Sequence, residues 1–329
     1  MKEVILRLLQ LRQDGSYLSG EEISQTLSCT RSAVWKAIEE LRQEGYPIEA
    51  KPRRGYRLAA WPDRVTALHV LPLLQTATLG RNYHYCDRIA STQSEAHRLA
   101  RQGAPEGTLV VAEEQTEGRG RMGRHWISPK GSGIWMSLIL RPDISLADAQ
   151  FFTLTTSIAV ASALRQHLDE ERHPDISSAM RIKWPNDILI EGKKVCGILT
   201  ELHAETDVIH YLVIGIGINI NQHADDFPPE LRQKVTSLRA LCGRPFLRAP
   251  IIALILRHLE TCCEQLQLEG FAPLRQKWLG MAYRLGEEIT AHSPNGQKKG
   301  IFCGIDERGA LLLEVGDKVE KIYSAEVQV

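Results

Sequence analysis

The sequence predicts an α+β chain of several domains, on three observations. At 329 residues it is longer than one small core organises, given roughly 150 residues per domain. Residues 1–62 carry three short helical patterns followed by one hairpin, whereas 65–280 mix buried strand patterns with long apolar helices. After Trp278 the pattern turns to short strands, near Ile289, Ile301-Phe302, Leu311 to Leu313 and Ile322 to Val327. Pro-Asn-Gly, Asp-Glu-Arg-Gly and Val-Gly-Asp turns separate them, as in a small β-barrel over 281–329.

Charge and cysteine usage narrow the class. Forty basic side chains cancel forty acidic ones, which excludes a wholly basic nucleic-acid coat but leaves room for a local basic patch. The seven cysteines form no CxxC pair, which fits free thiols in a reducing compartment and gives no metal site to assign. No segment reaches the ~20 apolar residues of a membrane span, and Arg7 interrupts the apolar run at the N-terminus where a signal peptide would need continuity. The expectation is a cytoplasmic protein with no membrane contact.

In the first segment Val4, Ile5, Leu8 and Leu9 fall on one helical face, and Asp14-Gly15 stops the helix. Ser19 and Glu22 form a capping box for a second helix. Thr30 caps a third, which turns Val34, Ile38 and Leu41 inward and leaves Arg31, Ser32, Trp35 and Lys36 on other faces before Gly45 ends it. A strand near Tyr46 to Ala50, the turn Lys51-Pro52-Arg53-Arg54-Gly55 and a returning strand Tyr56 to Leu58 complete a winged helix-turn-helix. In that fold the third helix, through Thr30, Arg31, Ser32, Trp35 and Lys36, enters a major groove, and Arg53 and Arg54 lie along phosphates. A compact helical module for protein contacts is the competing reading. Ala59 to Asp63 reads as a linker.

The central domain is organised around Gly118-Arg119-Gly120-Arg121-Met122-Gly123-Arg124-His125-Trp126, a loop between the apolar strands Leu109 to Ala112 and Ser132 to Leu140. Glycine lets backbone approach a ligand closely, and arginine offers forked donors suited to phosphate and carboxylate oxygens. By itself such a loop fits a solvated basic segment or a nucleic-acid contact equally well. Upstream, a strand from Tyr83 to Ile89 runs into Ser91-Thr92-Gln93, with Thr92 and Glu95 read as the capping box of a helix ending at Gly103. Gln115 begins the same wall. Further on, a long core helix spans about Leu146 to Leu168, and Arg181-Ile182-Lys183-Trp184 alternates so that Arg181 and Lys183 oppose Ile182 and Trp184. A strand lysine in apolar surroundings either meets an anion or snorkels to solvent. Gly192-Lys193-Lys194 continues this hairpin, and Gly215 and Gly217 then interrupt a buried strand, marking close approach of another backbone or a ligand. As a dinucleotide fingerprint the glycines fail, lacking the third glycine and the helix behind it. A polar loop with Phe227-Pro228-Pro229 and a helix from about Ala249 to Leu268 follow.

With GRGRMGRHW, KWPND and GIGININ in that order behind Ser91-Thr92 and Gln115, the chain resembles the bifunctional biotin protein ligases, the biotin operon repressors, over essentially its whole length. The resemblance implies a catalytic domain at 65–280 of the mixed α/β fold shared with lipoate ligases and an SH3-like barrel at 281–329. It implies an enzyme that joins biotin to ATP as biotinyl-5'-adenylate, acylates a lysine of a biotin carboxyl carrier protein, and represses biotin-synthesis genes at an operator. ATP, Mg²⁺ and biotin are the implied cofactors and substrates, and the plan of one DNA module per ligase domain leads to the expectation that adenylate binding orders the loops near Arg119 and Phe227 and exposes a homodimer surface. Carried over residue by residue, Ser91, Thr92, Gln93, Gln115, Arg119, Gly120, Arg121, Lys183, Gly217 and Asn219 line the biotin and adenylate site. Lys183, Arg119 and Arg121 are its catalytic cations, and Trp126 with Phe227 takes the adenine. Asp187 serves either to position charge or as a turn residue. Gln93 stands where asparagine is frequent, and Met122 where a basic residue is. A biotin-sensing transcription factor with weak or vestigial ligation, a ligase with an inert front module, and lipoate or octanoate specificity remain as alternatives.

Overall fold

The computed structural model describes residues 1–10, 12, 16–205, 208–293 and 296–328. The expected Asp14-Gly15 stop and the Pro294-Asn295 part of the last hairpin turn lie outside them. The chain divides into two compact units, Met1–Asp63 and Arg64–Val329.

The first unit holds α1 (Lys2–Gln10), α2 (Gly20–Thr26), α3 (Arg31–Gln43) and a hairpin of β1 (Ile48–Lys51) and β2 (Gly55–Leu58). Both expected caps form: Ser19 and Glu22 close their box reciprocally, and Thr30 Oγ1 accepts the Ala33 N–H at 3.2 Å. Ile5, Leu6, Leu9, Ile23, Val34, Ile38 and Leu41 make the core. Val4, expected inside, is 43% exposed and Leu6 takes its place, because the buried stripe of α1 is rotated by about one position from the sequence reading. Leu18 pairs with Tyr56 through two backbone bonds of 2.8 Å, tying the wing to the helices.

The second unit is built on a seven-stranded mixed sheet of order β3-β4-β5-β9-β8-β7-β6. Its elements run α4 (Ala67–Val70), β3 (Tyr83–Cys86), α5 (Thr92–Arg101), β4 (Leu109–Ala112), β5 (Gly133–Leu140), α6 (Gln150–Glu170), α7 (Pro174–Ser178), β6 (Met180–Lys183), β7 (Asp187–Ile190), β8 (Lys193–Glu205) and β9 (Val208–Asn219). After these come α8 (Leu238–Cys242), α9 (Arg248–Glu269) and α10 (Phe271–Leu279). Strand β3 ends earlier than expected, at Cys86, since Ile89 makes only an isolated bridge with Gln115. Strands β4 and β5 are buried on both faces, which explains their unbroken apolar runs. Leu109, Val111, Leu138, Leu140, Leu212 and Ile214 belong to the core under α6 and α9, whereas Val110, Ile139 and Val213 pack with Ala96 and Ala100 of α5.

The chain finishes in a five-stranded antiparallel sheet, β10 (Glu288–Ser293), β11 (Gly296–Ile305), β12 (Leu311–Val315), β13 (Lys318–Ile322) and β14 (Glu326–Gln328). In it β14 pairs with β10. The expected single strand from Ile322 to Val327 is thus two strands joined by a turn, and this SH3-like module shares one continuous core with the ligase-like sheet.

Candidate functional site

Strand register decides where the site lies. Ser137, Gly215, Gly217 and Asn219 share the α5 face of the sheet with Val213, because side chains alternate along a strand. Beyond the N-terminus of α5 that face opens into a cavity of about 890 Å³. Its lining includes Ser91, Thr92, Gln93, Gln115, Arg119, Gly120, Arg121 and Lys183. Gly217, Asn219, Trp126 and Phe227 line it too, so the twelve expected ligand-site residues converge on one place.

The polar end is a closed network. The Thr92 N–H and hydroxyl both donate to Gln115 Oε1, at 2.8 and 3.0 Å, and the Thr92 and Ser137 hydroxyls lie 2.9 Å apart. Ser137 donates to Gln93 Oε1 at 3.1 Å, while the Gln93 amide donates to the Val213 carbonyl at 3.1 Å. The expected Thr92–Glu95 capping box therefore does not form. Ser91 is the N-cap, the Thr92 hydroxyl is drawn into the cavity wall, and Glu95 is bound by Arg98. Ser91 and Trp126 also line the cavity, and Ser91 Oγ and Trp126 Nε1 are buried without a hydrogen-bond partner.

The glycine-arginine loop is a small hairpin. Arg119 bridges His125, the Gly120 N–H donates to the Arg124 carbonyl at 2.7 Å, and the Trp126 N–H donates to Gly118. Only glycine fits at 118, where a Cβ would lie 2.3 Å from the Trp126 carbonyl. At the tip Met122 takes a left-handed conformation and is 74% exposed. The three arginines diverge: Arg119 stays exposed at the cavity edge, Arg121 turns in and donates to Asn186 Oδ1 at 3.0 Å, and Arg124 grips Glu326 of β14 with both terminal nitrogens.

Trp126 lies across the sheet. A Cβ on Gly217 would come 2.7 Å from its indole and one on Gly197 2.9 Å, so these glycines accommodate a tryptophan ring. Gly215 likewise makes room for the Gln93 carboxamide, 2.6 Å from an added Cβ. The interruption of the strand thus reflects close side-chain approach, where sequence suggested another backbone or a ligand. Asn219 holds the floor, donating to the Thr236 carbonyl at 3.1 Å.

Lys183 projects from β6 on the face opposite buried Ile182, as the alternation predicts. Burial pushes its ammonium below the ordinary lysine range, with Asp187 opposing the shift. Burial also lowers Arg121, against Asp187 and Glu326. Sequence reading missed Lys194, whose ammonium lies 2.7 Å from Asp187 Oδ1 and 5.2 Å from the Trp126 ring centroid. It also missed Asn186, which ties Arg121 to the Ile198 carbonyl, and Glu326. Among the described residues no group of three or more His, Cys, Asp or Glu side chains is arranged to hold a metal ion, and no helix is long and apolar enough to cross a membrane.

In the first unit Arg31, Ser32, Trp35, Lys36, Arg53 and Arg54 are all exposed, with Thr30 capping α3. Arg12, Arg42 and Arg57 are paired with carboxylates, but among the described residues Arg31, Lys36, Arg53 and Arg54 have no such partner. These four cations sit on the third helix and the wing tip.

The chain is similar to known proteins along its whole length. The model of the biotin/lipoate A/B protein ligase family matches residues 85–219, an HTH domain model 3–57, and the biotin protein ligase C-terminal domain 285–329. The chain is 47% identical over 318 residues to the bifunctional ligase/repressor BirA of Bacillus spizizenii, covering 96% of this chain and 95% of that protein. It is 29% identical to BirA of Escherichia coli, covering 99% and 97%. The biotin protein ligase of Aquifex aeolicus in complex with biotin and ATP superposes with a TM-score of 0.63 at 29% identity, covering 75% of this chain and 98% of that one. With a helix-turn-helix domain ahead of the ligase domain and a ligase C-terminal domain behind it, the chain belongs to the family of bifunctional biotin protein ligase/repressors.

Proposed function

We propose that the chain is an ATP-dependent biotin–[biotin carboxyl carrier protein] ligase and, through residues 1–62, a DNA-binding repressor of biotin-synthesis genes. The observation that carries this reading is the gathering of Arg119, Arg121, Lys183 and Lys194 on one cavity lined also by the Ser91-Thr92-Gln93 wall. In the first step a biotin carboxylate oxygen attacks the α-phosphorus of ATP, and the bond to the β-phosphate oxygen breaks as pyrophosphate leaves with the electron pair. Fixed cations neutralise the oxygens as that charge moves, without reorganising at the moment of reaction. In the second, the amine of a carrier lysine attacks the acyl carbon, the carbon–oxygen bond breaks as AMP leaves with the electron pair, and the nitrogen gives up its proton to solvent.

Ser91, Thr92, Gln93, Gln115, Gly120, Gly217 and Asn219 shape the biotin and adenylate site, and Trp126 and Phe227 flank the adenine. Mg²⁺ fits this cavity as an ion carried in by the triphosphate, since the lining carboxylates Asp187 and Glu326 are already engaged by Lys194 and Arg124. When bound it shares the neutralisation of phosphate oxygens. Water is kept from the anhydride by the Arg119 and Phe227 segments. The same ordering creates a homodimer that presents two winged helices to a palindromic operator. The working division is 1–62, 65–280 and 281–329, and the setting is the cytoplasm.

Intact-mass measurement of a purified biotin carboxyl carrier domain, incubated with the chain, biotin, ATP and Mg²⁺, tests the ligase reading. One biotinyl group per domain is expected, and none without ATP. An unmodified domain leaves only the sensor reading, and modification by octanoate or lipoate in place of biotin reassigns the substrate.

A further inference from the structure

From the exposed face of α3, and resting on the reading that the first unit binds duplex DNA, we infer that Trp35 reads a thymine through its C5-methyl group. Every other large apolar side chain of α3 points inward: Val34, Ile38 and Leu41 are at most 1% exposed. Trp35 alone is turned out, 58% exposed, in the N-terminal half of the helix where recognition helices meet base edges. Arg31 and Ser32 lie one turn before it on the same surface, and Lys36 beside it. Arg31 and Lys36 have no carboxylate partner among the described residues. A free apolar surface framed by uncompensated positive charge complements a polyanion that offers one apolar feature in its major groove, and that feature is the thymine methyl. The cations supply sequence-independent affinity and the indole supplies discrimination. Ser32 does not compete for that role, because its hydroxyl is engaged 2.9 Å from that of Thr30 at the cap.

The test uses the full chain with biotin and ATP. Duplexes selected from a randomised pool by the wild type are re-synthesised with each thymine replaced in turn by deoxyuracil, which removes only the methyl group. The wild type is expected to lose about three- to tenfold in affinity at one thymine per half-site, on the scale of a single apolar base contact. Trp35→Ala is expected to bind the parent duplex that much more weakly and to be indifferent to the same deoxyuracil. Arg31→Ala is expected to weaken binding to all duplexes while keeping the methyl dependence. Because the indole lies outside the core, Trp35→Ala keeps the wild-type circular dichroism. Equal methyl sensitivity in wild type and Trp35→Ala overturns the inference, as does a wild type indifferent to every substitution. A Trp35→Ala chain that changes its mass in sedimentation without losing methyl sensitivity assigns the indole to a second copy instead. Failure of the wild type to enrich any duplex overturns the DNA reading itself.

Discussion

Lys194 of β8 and Asp187 of β7 form an ion pair of 2.7 Å on the cavity wall, with the lysine ammonium also set over the ring of Trp126. The pair fixes a cation where a flexible side chain would otherwise sample solvent, and pre-set charge stabilises a developing anion best. Lys194→Ala is expected to reduce biotin-dependent ATP–pyrophosphate exchange roughly 100- to 1000-fold. Asp187→Asn keeps the ammonium but loosens its aim, and about a tenfold loss in kcat with little change in KM for biotin is expected. Exchange at the wild-type rate in Lys194→Ala would remove it from the site.

Arg124 and Glu326 join the glycine-arginine loop to the C-terminal sheet across 202 residues of sequence. Exposed pairs of this kind contribute about 0–1 kcal/mol to stability, so Glu326→Ala is expected to leave the unfolding transition almost unmoved. Its effect falls on the loop: the KM for ATP should rise several-fold, and the exchanged pair Arg124→Glu with Glu326→Arg should recover most of it. Steady-state kinetics of the two single variants and the double variant decide this, and unaltered KM values would show that the contact does not hold the loop.

Gly217 carries the indole of Trp126 directly over its backbone. In Gly217→Ala the new Cβ forces the ring away, uncovering the intermediate. Adenylate formed from labelled biotin and then chased with unlabelled biotin should escape about ten times faster than from the wild type. Unchanged retention would mean that Trp126 does not cover it.

His69 is buried, and its pKa is pushed down to about 4 by burial first and by Arg64 and Arg248 second. The folded value lies below the ordinary 6.5, so the unfolded chain binds more protons between the two. Stability is therefore fully present above pH 6.5 and lost as pH falls toward 4, by an amount on the order of 3 kcal/mol. Denaturant titrations across that window should show this slope, and His69→Gln should flatten it by about one proton. An identical slope in the variant would assign the acid sensitivity elsewhere.

Local chemistry was legible in the sequence. The Ser19–Glu22 box, the Thr30 cap, and the opposition of Lys183 to Ile182 follow from neighbours a few residues apart, and all three are present. The Thr92 box was not, because the hydroxyl that would close it is taken by Gln115 and Ser137, the latter 45 residues away. Lys194 escaped notice for a related reason: Lys193 and Lys194 are adjacent in a turn pattern, and the register of β7 shifts between Ile188 and Leu189 as it pairs with β8. No periodicity tells which of the two ammonium groups faces the cavity. Glu326 is beyond any local signal, since its partner Arg124 lies 202 residues earlier in the chain.

The account stands on one cavity in which loop arginines and strand lysines surround a carboxyl–phosphate anhydride. A crystal structure of the chain grown with biotin and ATP tests it most directly. Biotinyl-adenylate is expected with its phosphate within hydrogen-bonding distance of the lysine and arginine groups and its adenine beside Trp126. Density for biotin or nucleotide bound away from Arg119, Arg121, Lys183 and Lys194 would contradict it.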